Sequence, residues 1–398
     1  MPVLTIYASI HLRIMNIKKV GIFLVISSFL LISNGASAAE DNSRYFVKTN
    51  STFWKKSFNA RHVFSGGFTA DLTDFQLKLT KVFNIEIEPV RRLSILEPKG
   101  KSALRPVPTE SVPWGVKAIY DDKNLLKSSG GAEATVAVLD TGIVKHPDLK
   151  NRIKDCKDFS SPARALVEGK CDDKNGHGTH VAGIIASDGG DDGKGIFGVA
   201  PETSLYAYKV CSNTGTCWAD DVAAAIRTAA DSGANIINLS LGSDAQSLLI
   251  SDAVAYAVEK GVLVVAAAGN DGPYQGSIDF PAQDANVIAV GAIDSLFIVP
   301  DWSSRGANET TVSYVVEEKD IEFAAPGVNV ESTWKDGGYV TLSGTSMSAP
   351  HVSGLAAKLW QKDSLTPSLS TRELLQKFAS DILPLGDDDM SGFGLPQL

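Results

Sequence analysis

Three short segments of this chain carry side chains that could act together on a carbonyl carbon. Val136-Ala-Val-Leu-Asp140-Thr-Gly-Ile143 ends an apolar run on a carboxylate. Asn175-Gly-His177-Gly-Thr-His180-Val-Ala-Gly183 sets a histidine at the start of a helical stretch. Gly344-Thr-Ser346-Met-Ser-Ala-Pro350 opens a further helix on a serine. A serine hydroxyl is a weak nucleophile at neutral pH and needs an adjacent base. Histidine suits that task because it titrates near neutrality. A carboxylate on the other ring nitrogen holds the tautomer and steadies the imidazolium. The free amides at a helix start favour negative charge, which sets the amide of Ser346 beside an oxyanion. Ala266-Ala-Ala-Gly-Asn270 offers a second donor, Asn270, just past another apolar run.

Each residue has a plainer reading. Asp140 could cap a turn with Thr141-Gly142, and Asn270-Asp-Gly272 could be a turn alone. Ser346 could be a helix N-cap. His177 and His180 could be two ligands of a zinc site, but no Glu lies between them in the zinc-peptidase pattern. What favours acyl transfer is that all four residues fall at the edges of elements in one chain.

The elements that must position these residues form an alternating series. Thr135–Leu139, Ser204–Val210, Asn235–Leu241, Val262–Ala266 and Val287–Val290 are short, nearly continuous apolar runs. Helical stretches begin at Val181, Asp220 and Leu248, with Gly233 and Gly261 ending the last two. Apolar strands alternating with helices predict an α/β fold, a mostly parallel sheet covered by helices on both faces. Sites in such sheets form beyond the carboxyl ends of strands, where Asp140 and Asn270 lie.

Residues 40–105 have a different pattern and predict a small α+β domain. Strands are expected at Arg44–Lys48, His62–Asp71 and Ile85–Ile95, and a helix at Thr73–Phe83 that starts on Thr73 or Asp74. Pro98 to Pro108 is expected to be an exposed linker. Residues 1–39 carry a charge of +3 and residues 40–105 carry +5, whereas 106–398 carry −17, summing to the net −9. A basic front ahead of an acidic body suggests two parts that attract each other. The acidic body argues against nucleic-acid binding.

The start of the chain has a secretory pattern. Met15-Asn-Ile-Lys-Lys19 precedes the apolar run Val20–Ile32, and Ala36-Ser-Ala38 supplies small residues for cleavage. The run is short of the roughly 20 apolar residues of a membrane span. We therefore expect a signal peptide at 1–38 and a protein that is extracellular or periplasmic, with no membrane attachment after cleavage. Export permits disulfides. The four cysteines allow three connectivities, and Cys156–Cys171 with Cys211–Cys217 closes the shortest loops.

The Asp140, His177 and Ser346 segments resemble, in type and order, the three active-site signatures of the subtilase family. Asp then His then Ser is one of several chain orders in which this constellation occurs on unrelated folds. The similarity spans about residues 110–398 and includes the asparagine segment Ala266–Gly272. It implies a serine endopeptidase that forms an acyl-enzyme on Ser346, with His177 as general base, Asp140 orienting it and Asn270 in the oxyanion hole. It implies that 39–109 is a propeptide that acts as an intramolecular inhibitor and folding helper, with 110–398 the peptidase domain. The cut is expected between Leu96 and Glu110. The resemblance also implies that peptide or protein substrates lie as an added strand between Ser240-Leu241-Gly242 and the stretch around Gly215. Ala267, Ala268 and Gly269 would line the first specificity pocket, and Asp271 would either tilt it toward basic side chains or serve as a turn residue. Structural Ca2+ is implied at the loop Asp188–Ile196, with Glu110, Asp148 and Asp192 as side-chain ligands.

Overall fold

The computed structural model describes residues 43–96, 98–307, 316–382 and 385–398. The expected signal peptide at 1–38 lies outside them. The first elements are β1 (Arg44–Val47), α1 (Thr52–Ser57), β2 (Val63–Phe64), β3 (Gly67–Asp71), α2 (Asp74–Val82), β4 (Ile87–Pro89) and β5 (Arg92–Ile95). The body follows with α3 (Trp114–Ile119), β6 (Thr135–Asp140), β7 (Ile153–Asp158), β8 (Val167–Glu168), α4 (His177–Ala186), β9 (Ser204–Lys209), β10 (Thr216–Trp218) and α5 (Ala219–Asp231). Next come β11 (Ile236–Leu239), β12 (Leu241–Gly242), α6 (Leu248–Glu259), β13 (Leu263–Ala267), β14 (Val287–Ile293) and β15 (Phe323–Pro326). The chain ends with β16 (Val330–Thr333), β17 (Tyr339–Leu342), α7 (Thr345–Lys358), α8 (Pro367–Lys377), β18 (Ala379–Ser380) and β19 (Leu395–Pro396).

The body is built on one eight-stranded sheet in the order β15-β14-β13-β11-β6-β9-β7-β8. Every pairing in it is parallel except the last, β7 with β8. Alternate residues of β6 explain why its sequence is apolar throughout. Val136 and Val138 join a core with α4 and α7, while Ala137 and Leu139 join the opposite core with α5 and α6. The sheet is thus an α/β layer buried on both faces.

The first domain has its own small core of Val47, Phe58, Phe68, Ala70 and Leu72. Its four-stranded sheet runs β2-β3-β1-β4. Thr73 caps α2 and Gln76 bonds back, completing a capping box. Two sequence expectations change here. The stretch His62–Asp71 is a hairpin rather than one strand, because Ser65-Gly66 makes a turn with Gly66 at φ +83°. The alternating stretch Ile85–Ile95 is split between two sheets. β4 pairs with β1 inside the small domain, whereas β5 leaves it and lies between β10 and β12 of the body. Alternation marks extended chain and does not choose a partner.

Candidate active site

Asp140 ends β6, fully buried, and its carboxylate is 2.9 Å from Nδ1 of His177 through each oxygen. The backbone amide of Thr141 donates to the same carboxylate at 2.7 Å. His177 is the first residue of α4, and the glycines around it permit the approach. Gly176 has φ +111°, and a Cβ on Gly178 would stand 2.2 Å from the carbonyl of Gly142. Asp173 holds this helix start. Its carboxylate accepts from the amides of Asn175, Gly176 and Thr179 and from the hydroxyls of Thr141 and Thr179. Sequence reading missed Asp173, although Asp173-Lys-Asn-Gly has the pattern of a capping turn. His180 is not a partner ligand to His177. It is buried against the carbonyl of Val340 at 3.0 Å, and burial pushes its imidazole down to about 3.

Ser346 is the second residue of α7, and a proline four residues later shapes its surroundings. Pro350 has no N–H, so the carbonyl of Ser346 lacks its helical donor. The hydroxyl of Ser240 supplies one at 3.0 Å. This ties the nucleophile's backbone to the segment just after β11. Asn270 follows β13 and is oriented by Thr345. Its Oδ1 accepts from the amide and hydroxyl of Thr345, both at 3.1 Å, which turns the Nδ2 end the other way. The two halves of the site meet where α4 packs against α7.

The cleft holds a segment of the chain itself. β5 pairs antiparallel with β10 on one side and β12 on the other, setting Ser94 opposite Gly242 and Ile95 opposite Leu241. The amide of Ile95 donates to the carbonyl of Gly215 at 2.9 Å. Leu96 comes next, buried in the apolar cluster that contains Ala267 and Met347. The hydroxyl of Ser346 is 3.4 Å from the carbonyl oxygen of Leu96 and donates to the carbonyl of Ser240 at 3.2 Å. Ala268 points to the opposite core, so Ala267 rather than Ala268 shares a cluster with Leu96. Beyond the cleft, Lys99, Ser102 and Arg105 donate backbone bonds to Ser343, Thr341 and Tyr339, so the expected linker follows β17.

The small domain docks through buried charge. Asp220 and Asp221 open α5. Arg44 reaches Asp220 at 3.1 Å and Asp221 at 3.0 Å, Arg61 reaches Asp221 at 2.8 Å, and Nε2 of His62 reaches Asp221 at 2.9 Å. Burial alone would raise the carboxyl of Asp221, but His62, Arg61 and Arg44 outweigh it and hold it below the ordinary range. Arg44 and Arg92 each stack on Trp218, at 4.6 and 4.2 Å from its ring centroid.

The cysteines join as Cys156–Cys171 and Cys211–Cys217. The expected calcium residues are placed unequally. Asp148 is buried. Its Oδ2 accepts from the amide of Ile196 at 2.8 Å and the hydroxyl of Tyr339 at 2.9 Å. Its Oδ1 faces the glycine loop, within 2.9 Å of a Cβ built on Gly190 and 2.1 Å of one on Gly195. Asp192 is exposed and accepts from the amide of Lys194, and Glu110 is exposed and paired with Lys117. Among the described residues these three do not form a group with carboxylate oxygens within 4.8 Å of one another; the groups that do are His62–Asp220–Asp221 and Asp244–Asp271–Asp279.

A buried Asp–His pair, a helix-borne serine and a strand-binding cleft define a serine endopeptidase on a parallel α/β sheet. The chain belongs to the subtilase family, whose profile matches residues 131–394. It is 43% identical to a subtilisin of Bacillus sp. (strain TA39), over 91% of this chain and 93% of that one. Among solved structures it is similar to sphericase, at a TM-score of 0.70 and 48% identity, and to the S41 psychrophilic protease, at 0.70 and 47%. Each match covers 73% of this chain and 99% of the other.

Proposed function

We propose that this chain is the precursor of an exported subtilase, caught before it cuts the bond between Leu96 and Glu97. The observation that carries this is the Leu96 carbonyl oxygen 3.4 Å from the Ser346 hydroxyl, at the end of a strand paired on both sides. That separation sets the hydroxyl beside the carbonyl group that it would attack. Ser346 Oγ bonds to the Leu96 carbonyl carbon as His177 takes its proton. Asp140 steadies the imidazolium, and Asn270 with the amide of Ser346 holds the oxyanion. Breaking the C–N bond passes the proton from His177 to the amine of Glu97. Water then releases Leu96 by the reverse order of proton transfers.

Residues up to Leu96 act as a tethered inhibitor, held by the cleft and by the Arg44, Arg61 and His62 contacts to α5. The solved relatives correspond to about three quarters of this chain, which fits removal of its front part. The other substrates are peptides bound in the same strand-paired manner. A calcium ion fits beside the 188–196 loop, where Asp148 Oδ1 accepts no hydrogen bond among the described residues and lies 2.9 Å from a Cβ built on Gly190, with Asp192 Oδ1 3.7 Å from the same point; Glu110 is instead paired with Lys117. Bound there, the ion would clamp the loop to the turn that carries Asp148. The intact mass and N-terminal sequence of the purified enzyme test the central claim. Maturation to a chain beginning at Glu97 is expected, and Ser346→Ala should leave the 96–97 bond whole. A mature start well beyond Glu97, or processing of purified Ser346→Ala, would overturn self-cleavage at this bond.

A further inference from the structure

Asp279 lies against two glycines that border the cleft: Gly242, which pairs with Ser94, and Gly269, which precedes Asn270. The amide of Asp279 donates to the carbonyl of Ala268 at 2.7 Å, and its neighbour Phe280 exchanges backbone bonds with Ser243 at 3.0 and 2.9 Å. The segment therefore ties together the two edges that flank Leu96. Both edges carry a glycine at the contact. A Cβ on Gly242 would lie 2.9 Å from Asp279 Oδ2, and one on Gly269 would lie 2.8 Å from it. The carboxylate occupies the gap that these two residues leave. It is 3% exposed, yet no hydrogen bond or ion pair reaches it among the described residues. Two exposed carboxylates, Asp271 and Asp244, bring their oxygens within 4.8 Å of it and of each other. Burial first, and then those two neighbours, pushes the Asp279 carboxyl up to about 7.

A buried carboxylate without a counter-charge is costly, and the cost is removed when a cation is placed beside it. The glycines that Asp279 touches belong to segments that border the strand-paired cleft, where a substrate delivers its side chains. We propose that Asp279, with Asp271 and Asp244 beside it, is a cation-recognising pocket floor that makes this peptidase favour lysine or arginine before the cut bond. Leu96 is then a poor occupant of the pocket. It is an apolar residue that shares a core cluster with Ala267 and offers Asp279 no cation, so the junction with the inhibitor is cut slowly compared with a basic substrate. This rests on the serine-endopeptidase reading above and refines its substrate class.

The test uses the mature enzyme, active-site titrated, on tetrapeptide p-nitroanilides that differ only in a final Lys, Arg, Leu or Phe. At pH 8.5 the lysyl substrate should exceed the leucyl one in kcat/KM by about tenfold or more, and Asp279→Asn should lower that ratio by about tenfold or more. The wild-type ratio should also rise between pH 6 and 8.5 as Asp279 ionises, which needs no variant. Faster cutting of the precursor is expected for Leu96→Lys. Hydrolysis with a ratio near or below one, or a ratio unmoved by pH and by the substitution, would overturn the proposal. A ratio that collapses on adding calcium chloride at constant ionic strength would assign the cluster to a divalent ion and overturn it too. Failure to hydrolyse any of the four would overturn the endopeptidase reading itself, and the proposal with it.

Discussion

Two acidic clusters of the body, one opening α5 and one beside the cleft, each hold a deeply buried aspartate, and Asp221 in the first and Asp279 in the second behave in opposite ways. Asp221 is 1% exposed and Asp279 is 3% exposed. Asp221 faces two guanidinium groups and an imidazole from the N-terminal domain, and its carboxyl is held down. Asp279 faces two further carboxylates, and its carboxyl is pushed up to about 7. Burial raises a carboxyl in both places; at Asp221 the three cations outweigh it, at neighbouring Asp220 burial and the Asp221 carboxylate outweigh Arg44 and His62, and at Asp279 burial is reinforced by Asp271 and Asp244. The first cluster already has the partner it is shaped for. The second has no cation among the described residues, and the difference separates a docking contact from a proposed recognition site.

Breaking the paired cluster should give the largest effect. Arg44→Ala leaves two buried carboxylates facing fewer cations, and removing one partner of such a pair costs about 3–5 kcal/mol. In the Ser346→Ala precursor, denaturant unfolding should show the small domain separating earlier by an amount of that order. Unchanged unfolding would mean that the contact adds nothing to docking.

Relieving the unpaired cluster should give an effect of opposite sign and smaller size. The folded Asp279 carboxyl titrates above its ordinary value, so the folded state binds more protons between about pH 4 and pH 7. Wild-type stability therefore falls as pH rises through that window, and Asp279→Asn lacks this fall. In the Ser346→Ala background the substitution should raise the melting temperature more at pH 8.5 than at pH 5, by at most a few kcal/mol of unfolding free energy. An equal change at both pH values would show that Asp279 is not ionising in its buried setting.

Asp148 stands between these extremes, with one oxygen bonded and the other turned to the glycine loop. Calcium should stabilise the protein through it by the ordinary mass-action gain, about 1–3 kcal/mol at calcium well above the dissociation constant. EDTA should lower the melting temperature of wild type and leave an Asp148→Asn variant little changed. An equal response from both would place the ion elsewhere or nowhere.

Local spacing along the chain was enough for the parallel sheet, because continuous apolar runs such as Val136–Leu139 require cover on both faces. It was enough to select Asp140, His177, Ser346 and Asn270 as candidates, because each sits at the boundary of an element. It also marked the helix at Thr73, whose cap and its Gln76 partner lie within one turn. The division of Ile85–Ile95 between two sheets was not legible, since both halves alternate and only packing assigns their neighbours. Nor was the place of Leu96 in the cleft, which depends on a serine 250 positions later. Asp279 lies in Ser-Ile-Asp279-Phe-Pro, which carries no motif, and Arg44 meets its acids across 176 and 177 residues. Periodicity and turn chemistry are properties of neighbours in sequence, so the chain displays them directly. Whether a buried charge finds a counter-charge depends on which distant segments meet, and only the folded molecule decides that.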